Sequence, residues 1–209
     1  MEQREEDSKT ETHVKNLIDA YKKIRQRILE IGDETRKFSL FLGFLNTWFM
    51  RNGLGFIVIT GGFAVELLTG RAYRTADVDV ITSNPRVSKI LEEFLNRIGE
   101  KIARGYLPIY EELAAKSIDI VAVSYTRSKK PVEVRINSFI IYIDPPEELI
   151  VLYLASWKYW DSTTDRDKAL WLYMVLHDKL DHEYLKRRAI EEDVLDKLLE
   201  LENLLRHSF

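Results

Sequence analysis

The residues of this sequence that could do chemistry are three aspartates. Asp77 and Asp79 flank Val78 at the start of a β-branched run, and Asp119 interrupts a second apolar run, Ser117 to Val123. On a strand, residues i and i+2 face one side, so Asp77 and Asp79 project together, about 7 Å apart at Cα. Two carboxylates aimed at one point suit Mg²⁺, which takes one or two carboxylates and completes its shell with substrate phosphates. An unpaired carboxylate is costly to bury in an apolar strand. If the strand of Asp119 lies beside that of Asp77 and Asp79, the three acids converge, and such a cluster can hold two metals for in-line phosphoryl or nucleotidyl transfer. Upstream, Gly61-Gly62 ends the run Phe56 to Thr60. Glycines at a strand-to-helix turn let backbone N–H groups approach an anion closely, and the following helix adds its positive N-terminus. Each signal has a plainer reading. Asp-x-Asp alone also fits the exposed face of a half-buried strand, and a glycine pair also fits any tight turn.

The elements that must position these residues follow from periodicity. Apolar residues at helical spacing predict a helix from Glu11 to Ile31, stopped by Gly32, with residues 1–10 frayed. A second, largely buried helix is predicted from Glu34 to Arg51, followed by a turn at Asn52-Gly53. Strands are predicted at Phe56–Thr60, Val78–Ile81 with Asp77 at its start, Ser117–Tyr125, Val132–Ile136 and Phe139–Ile143, the last two as a hairpin. Helices are predicted over Ala64–Thr69 and from Pro85 to Ala103, the latter capped by Asn84. After Pro145-Pro146 the pattern is helical to the end: Glu147–Trp160, Asp165–His177, Asp181–Ala189 and Glu191–Arg206. The fold class is therefore α+β with an α/β-type core. An N-terminal helical segment (1–53) precedes a mixed-sheet core (54–144), and a C-terminal helical region (145–209) follows.

Composition narrows the function classes. A net charge of −3 argues against a strongly basic nucleic-acid binder. The absence of cysteine excludes disulfides and thiolate metal sites and suits a cytoplasmic protein. No apolar stretch is long enough to span a membrane, and Met1 to Lys9 lacks the apolar core of a signal peptide. A charged fraction of 31% with only Gln3 and Gln26 as glutamines leans toward a thermophile. There is no Gly-Lys-Ser/Thr loop and no Gly-x-Gly-x-x-Gly, so P-loop and Rossmann readings lack their main support. Glu66 reads as a solvated helix residue. Arg127, Lys129 and Lys130 read as a solvated hairpin end, and Trp157, Tyr159, Trp160, Trp171 and Tyr173 as core packing between helices. His177 and His182 read as flanking a helix break rather than as metal ligands, and His13 and His207 complete the histidines.

Gly61-Gly62, Asp77-Val78-Asp79 and Asp119 together resemble the nucleotidyltransferase superfamily with the DNA-polymerase-β-like fold. The wording Gly61 to Arg71, then Arg74-Thr75-Ala76-Asp77-Val78-Asp79, is most similar to the branch that includes abortive-infection-type toxins. The resemblance covers residues 54–180. It implies binding of a nucleoside triphosphate with Mg²⁺ or Mn²⁺ on Asp77, Asp79 and Asp119, and triphosphate contacts from Gly61, Gly62, Arg74 and Thr75. Lys158 and Asp167, on the downstream helices, would support the triphosphate site. The implied reaction is transfer of a nucleotide to a hydroxyl, with an RNA 3′ end, a protein or a small molecule open as acceptor and an antitoxin as expected partner. A catalytically degenerate nucleotide-binding module on the same fold, and a helical interaction protein that forms a homodimer, are the alternatives.

Overall fold

Helix α2 (Glu34–Arg51) shows why the sheet forms where it does. It is apolar nearly all round, so it must be buried along most of its length. Gly43 lets it lie directly on the sheet, since a Cβ there would stand 3.1 Å from Phe139 Cβ. Buried Asn46 ties two strands to it, accepting from the Ile57 N–H at 2.9 Å and donating to the Ile140 carbonyl at 3.0 Å.

The computed structural model describes residues 2–102, 105–108 and 116–206. The chain divides into two units, residues 1–63 with 75–143, and residues 64–74 with 144–209. Among the described residues the first unit holds seven strands: β1 (Ile57–Thr60), β2 (Asp77–Thr82), β3 (Gly99–Ile102), β4 (Gly105–Pro108), β5 (Ser117–Ala122), β6 (Val132–Ile136) and β7 (Phe139–Ile143). They form one mixed sheet in the order β3-β4-β5-β2-β1-β7-β6. β2 runs antiparallel to β1 and parallel to β5, with a register shift after Val80. Val78 and Val80 are fully buried while Asp77 is exposed and Asp79 half-buried, so β2 alternates between a core face and an acid face.

Helices α1 (Glu2–Leu29), α2 and α4 (Pro85–Ile98) share one layer. Tyr21 of α1 meets Phe41 and Phe94 edge-on, and Phe41 and Phe94 stack on each other at 6.4 Å. Ion pairs extend the α1–α4 contact: Asp7 with Lys89 at 2.6 Å, and Glu11 with Arg97. These hold the start of α1, so residues 2–10 are helical rather than frayed.

Two further boundaries differ from the sequence expectation. α4 is capped by Asn84 but ends at Ile98, and Gly99–Ile102 belongs to β3, the start of an antiparallel pair with β4. The expected helix end at Ala103, and His207, lie outside the described residues. Gly61 and Gly62 open helix α3 (Gly61–Leu68) directly instead of forming a loop before it.

The second unit contains α5 (Pro146–Trp160), α6 (Thr163–Leu176), a 3-10 turn at His177–Lys179, α7 (His182–Glu191) and α8 (Leu195–Arg206). α5 is central, with Leu149, Ile150, Leu154 and Trp157 buried. Of the aromatic cluster, Trp157 and Tyr173 are core, whereas Tyr159 and Trp160 are exposed. Glu147 and Glu148 are buried near the start of α5. Glu147 accepts from the N–H of Asp181, which itself caps α7 through the Tyr184 N–H. Glu148 accepts from the Tyr184 hydroxyl and, at 3.0 Å, from Arg188 Nε. Burial alone would lower the Arg188 pKa, but hydrogen bonds to Glu191, Glu148 and Glu192 outweigh it and raise it. Arg188→Ala is expected to destabilise this unit by about 3–5 kcal/mol, because it takes the guanidinium away from the buried Glu148 carboxylate. Urea unfolding followed by circular dichroism checks this, and a loss below about 1 kcal/mol would show the pair to be dispensable.

Candidate functional site: an acidic strand pair beside a helix N-terminus

β2 and β5 bring the aspartates together. Their parallel register pairs Asp77 with Ser117, Val78 with Ile118 and Asp79 with Asp119. Register partners on neighbouring strands stand about 4.8 Å apart at Cα and share a face, so Asp79 and Asp119 lie side by side, both half-buried. Asp77 sits two residues upstream of Asp79 and is exposed. Among the described residues, no three His, Asp or Glu side chains stand close enough to hold a metal ion by themselves.

The antiparallel pairing of β1 with β2 places Thr60 opposite Asp79, so Gly61 follows directly beside the acid. Gly61 has φ +61°, a left-handed conformation. A Cβ there would stand 1.9 Å from Asp79 Oδ2 and 2.8 Å from its Cγ. The first turn of α3, whose N–H groups have no intrahelical partner, therefore begins against the carboxylate of Asp79. A helix N-terminus attracts an anion, and a carboxylate repels one. A divalent cation would reconcile the two features, and the carboxylates here offer the oxygen-only donors that Mg²⁺ takes.

The segment before β2 is pinned at several points. The Thr75 Oγ1 accepts from the Asp77 N–H at 3.2 Å, and Ser117 Oγ donates to Asp77 Oδ1 at 2.6 Å. The Ser117 N–H donates to the Ala76 carbonyl at 2.9 Å, and Lys116 Nζ to the Thr75 carbonyl. Arg74, three residues before Asp77, is exposed. Lys116 and Ser117 went unremarked in the sequence. A signal was there, since Ser117-x-Asp119 repeats the spacing of Asp77-x-Asp79 and so predicts Ser117 opposite Asp77 once the strands pair.

In the second unit, Lys158 lies at the end of α5 and is held by Asp196 at 3.0 Å and Asp193 at 3.3 Å. The hydrogen bond to Asp196 raises its pKa, with Asp193 adding to it against partial desolvation. Asp167, on α6, accepts from its neighbour Arg166 at 2.9 Å. Glu66, expected in solvent, is 1% exposed: it continues the buried run Phe63, Ala64 and Val65 in the middle of α3. The rings of His177 and His182 lie 4.9 Å apart, tilted by 56°, around the break between α6 and α7.

A mixed sheet carrying paired acids beside the glycine start of a helix defines the nucleotidyltransferase class. The model of the nucleotidyltransferase family of unknown function, DUF6036, matches residues 46–204, and the chain belongs to that family. No curated protein matches it. Among solved structures, an antigenic nucleotidyltransferase-like protein from Paracoccidioides brasiliensis is similar at 13% identity and TM-score 0.56, over 84% of this chain and 93% of that one. The antibiotic-resistance factor ANT(2'')-Ia matches at 18% identity and TM-score 0.49, over 84% of this chain and 100% of that one. A second structure of ANT(2'')-Ia, in complex with adenylyl-2''-tobramycin, matches at 18% and 0.49, over 74% and 95%. The P. brasiliensis likeness speaks to the fold. The family makes the chain a nucleotidyltransferase. Among the described residues, no helix is long and apolar enough to cross a membrane.

Proposed function

We propose that this protein transfers a nucleoside monophosphate from a nucleoside triphosphate to a hydroxyl acceptor, in a reaction that depends on Mg²⁺ or Mn²⁺ at Asp77, Asp79 and Asp119. The observation that carries this reading is the contact of Gly61 with Asp79, which sets an anion-binding helix start against a carboxylate. A divalent ion there supplies charge neutralisation between carboxylate and phosphate. The first-turn N–H groups at Gly61 and Gly62 cradle the triphosphate, and Arg74 offsets its charge. Asp77 and Asp79 orient the α-phosphate, while Asp119 favours loss of the acceptor's proton. The acceptor oxygen forms its bond to the α-phosphorus in line as the bond to the β-phosphate oxygen breaks and pyrophosphate leaves. Catalysis of this kind is positioning plus electrostatics.

Thr75 supports the site by holding the backbone of Asp77. Lys158 and Asp167 belong to the same reading as supports for the triphosphate. The order Arg74-Thr75-x-Asp77-x-Asp79 supports the abortive-infection-type branch, and with it an RNA 3′ end as acceptor and an antitoxin as partner.

The test is a set of thermal melts with each NTP, with and without Mg²⁺ or Mn²⁺. A nucleotide at 100 times its dissociation constant is expected to stabilise by about 2.7 kcal/mol, only with metal, and not in Asp77→Asn. Labelled NTP with total RNA then reads the acceptor. The second reading, a degenerate nucleotide-binding module, is favoured by the lack of a ready three-carboxylate ligand set among the described residues. Stabilisation by nucleotide without metal would select it.

A further inference from the structure

Lys116 is 2% exposed and Ser117 4% exposed, yet both spend their polar groups on the three residues that lead into the acidic strand. Lys116 Nζ donates to the Thr75 carbonyl, the Ser117 N–H to the Ala76 carbonyl, and Ser117 Oγ to Asp77 Oδ1 at 2.6 Å. The amine is anchored from behind. It pairs with Glu34 at 2.9 Å, on the first residue of α2, and sits 5.3 Å from the centre of the Phe63 ring. Phe63 packs edge-on against Phe38 of α2. A buried ammonium is costly unless paired and hydrogen-bonded, and here its partners are a helix start and a loop carbonyl. The arrangement therefore fixes the loop to α2. A hydrogen bond to one oxygen of a carboxylate sets the rotation of the group, and an exposed aspartate at a strand start has little else to hold it.

We propose that Lys116 and Ser117 are positioning residues: together they clamp residues 75–77 so that the Asp77 carboxylate is presented to the divalent ion in one orientation. The inference rests on the reading of Asp77 as a metal ligand. Outer hydrogen bonds to metal-binding carboxylates act in this way, and their loss lowers metal affinity roughly 10- to 100-fold. Ser117 supplies the bond to the carboxylate, and Lys116 holds the backbone that carries it.

The experiment titrates Mn²⁺ into the full chain at fixed NTP and reads the concentration giving half the nucleotide-induced rise in Tm, for wild type, Ser117→Ala, Ser117→Thr, Lys116→Met and Asp77→Asn. Ser117→Ala is expected to need roughly 10- to 100-fold more Mn²⁺ and to reach the wild-type rise at saturation. Ser117→Thr, which keeps the hydroxyl, stays close to wild type. Lys116→Met shifts the Mn²⁺ requirement in the same direction and also lowers the Tm of the free protein. A purely structural role would lower the free-protein Tm in Ser117→Ala and leave the Mn²⁺ requirement unchanged, which would overturn the clamp alone. No Mn²⁺-dependent rise in wild type, or an undiminished one in Asp77→Asn, would remove the metal reading of Asp77 and the clamp with it. Ser117→Ala removes one hydroxyl beside an exposed carboxylate, so it keeps the test open if Lys116→Met does not fold.

Discussion

Asp79→Asn is expected to lower nucleotidyl transfer by about 10³-fold or more, about 4 kcal/mol on the barrier, with little change in Tm. Asp79 stands between Thr60 on β1 and Asp119 on β5 and touches the start of α3. No other acid of the site has all three neighbours. Asparagine fills the same volume but carries no charge, so it cannot balance a cation against a triphosphate. Asp79 is half-buried rather than core, which is why the fold should tolerate the change. Pyrophosphate release, measured beside a melt, separates the two effects. Activity within about tenfold of wild type in both Asp79→Asn and Asp77→Asn would sink the site assignment.

Gly61→Ala is the second large effect, and it should act through Asp79. Two costs add at this position. Alanine at φ +61° costs about 1–2 kcal/mol, and its Cβ would overlap Asp79 Oδ2 at 1.9 Å. The overlapped atom is the end of a side chain, so the carboxylate swings away and the fold survives. The stability loss is then about 1–3 kcal/mol, while transfer falls about as far as in Asp79→Asn. A double-mutant cycle with Asp79→Ala decides whether the two effects are one. If Gly61 acts by clearing space for the carboxylate, Gly61→Ala has almost no further effect on activity in the Asp79→Ala background. Full additivity would mean that the glycine serves the turn alone.

Several strands were legible because their chemistry is local. Val132–Ile136 and Phe139–Ile143 are β-branched runs around a turn, and they form the hairpin expected of them. Asp77-Val78-Asp79 shows its period-2 alternation in the burial of Val78 and Val80. What stayed hidden depends on contacts distant in sequence. β3 and β4 continue the helical spacing of α4 and carry no alternation of their own, so pairing, with each other and of β4 with β5, marks them as strands. The start of α1 is polar, and its order depends on Lys89 and Arg97, more than 80 residues away. Ser117 became a site residue only when β5 took its register beside β2. The closeness of Gly61 to Asp79 likewise needs β1 to run antiparallel to β2.

The way the chain is divided has a consequence for inheritance. The backbone leaves the first unit after Phe63, inside α3, returns at Thr75, and leaves again after Ile143. The second unit is therefore discontinuous, and its excursion Ala64–Arg74 carries Tyr73, which lies against Trp171 and beneath Lys168 of α6. A gene fragment ending at residue 143 would encode that excursion without the helices it packs on, and one beginning at residue 144 would encode the helices without the excursion. No single cut of the gene yields the helical unit whole. Recombination that swaps one end of this gene for another must supply matching residues at both places, so the helical unit and the acidic sheet are bound to be passed on as a single piece.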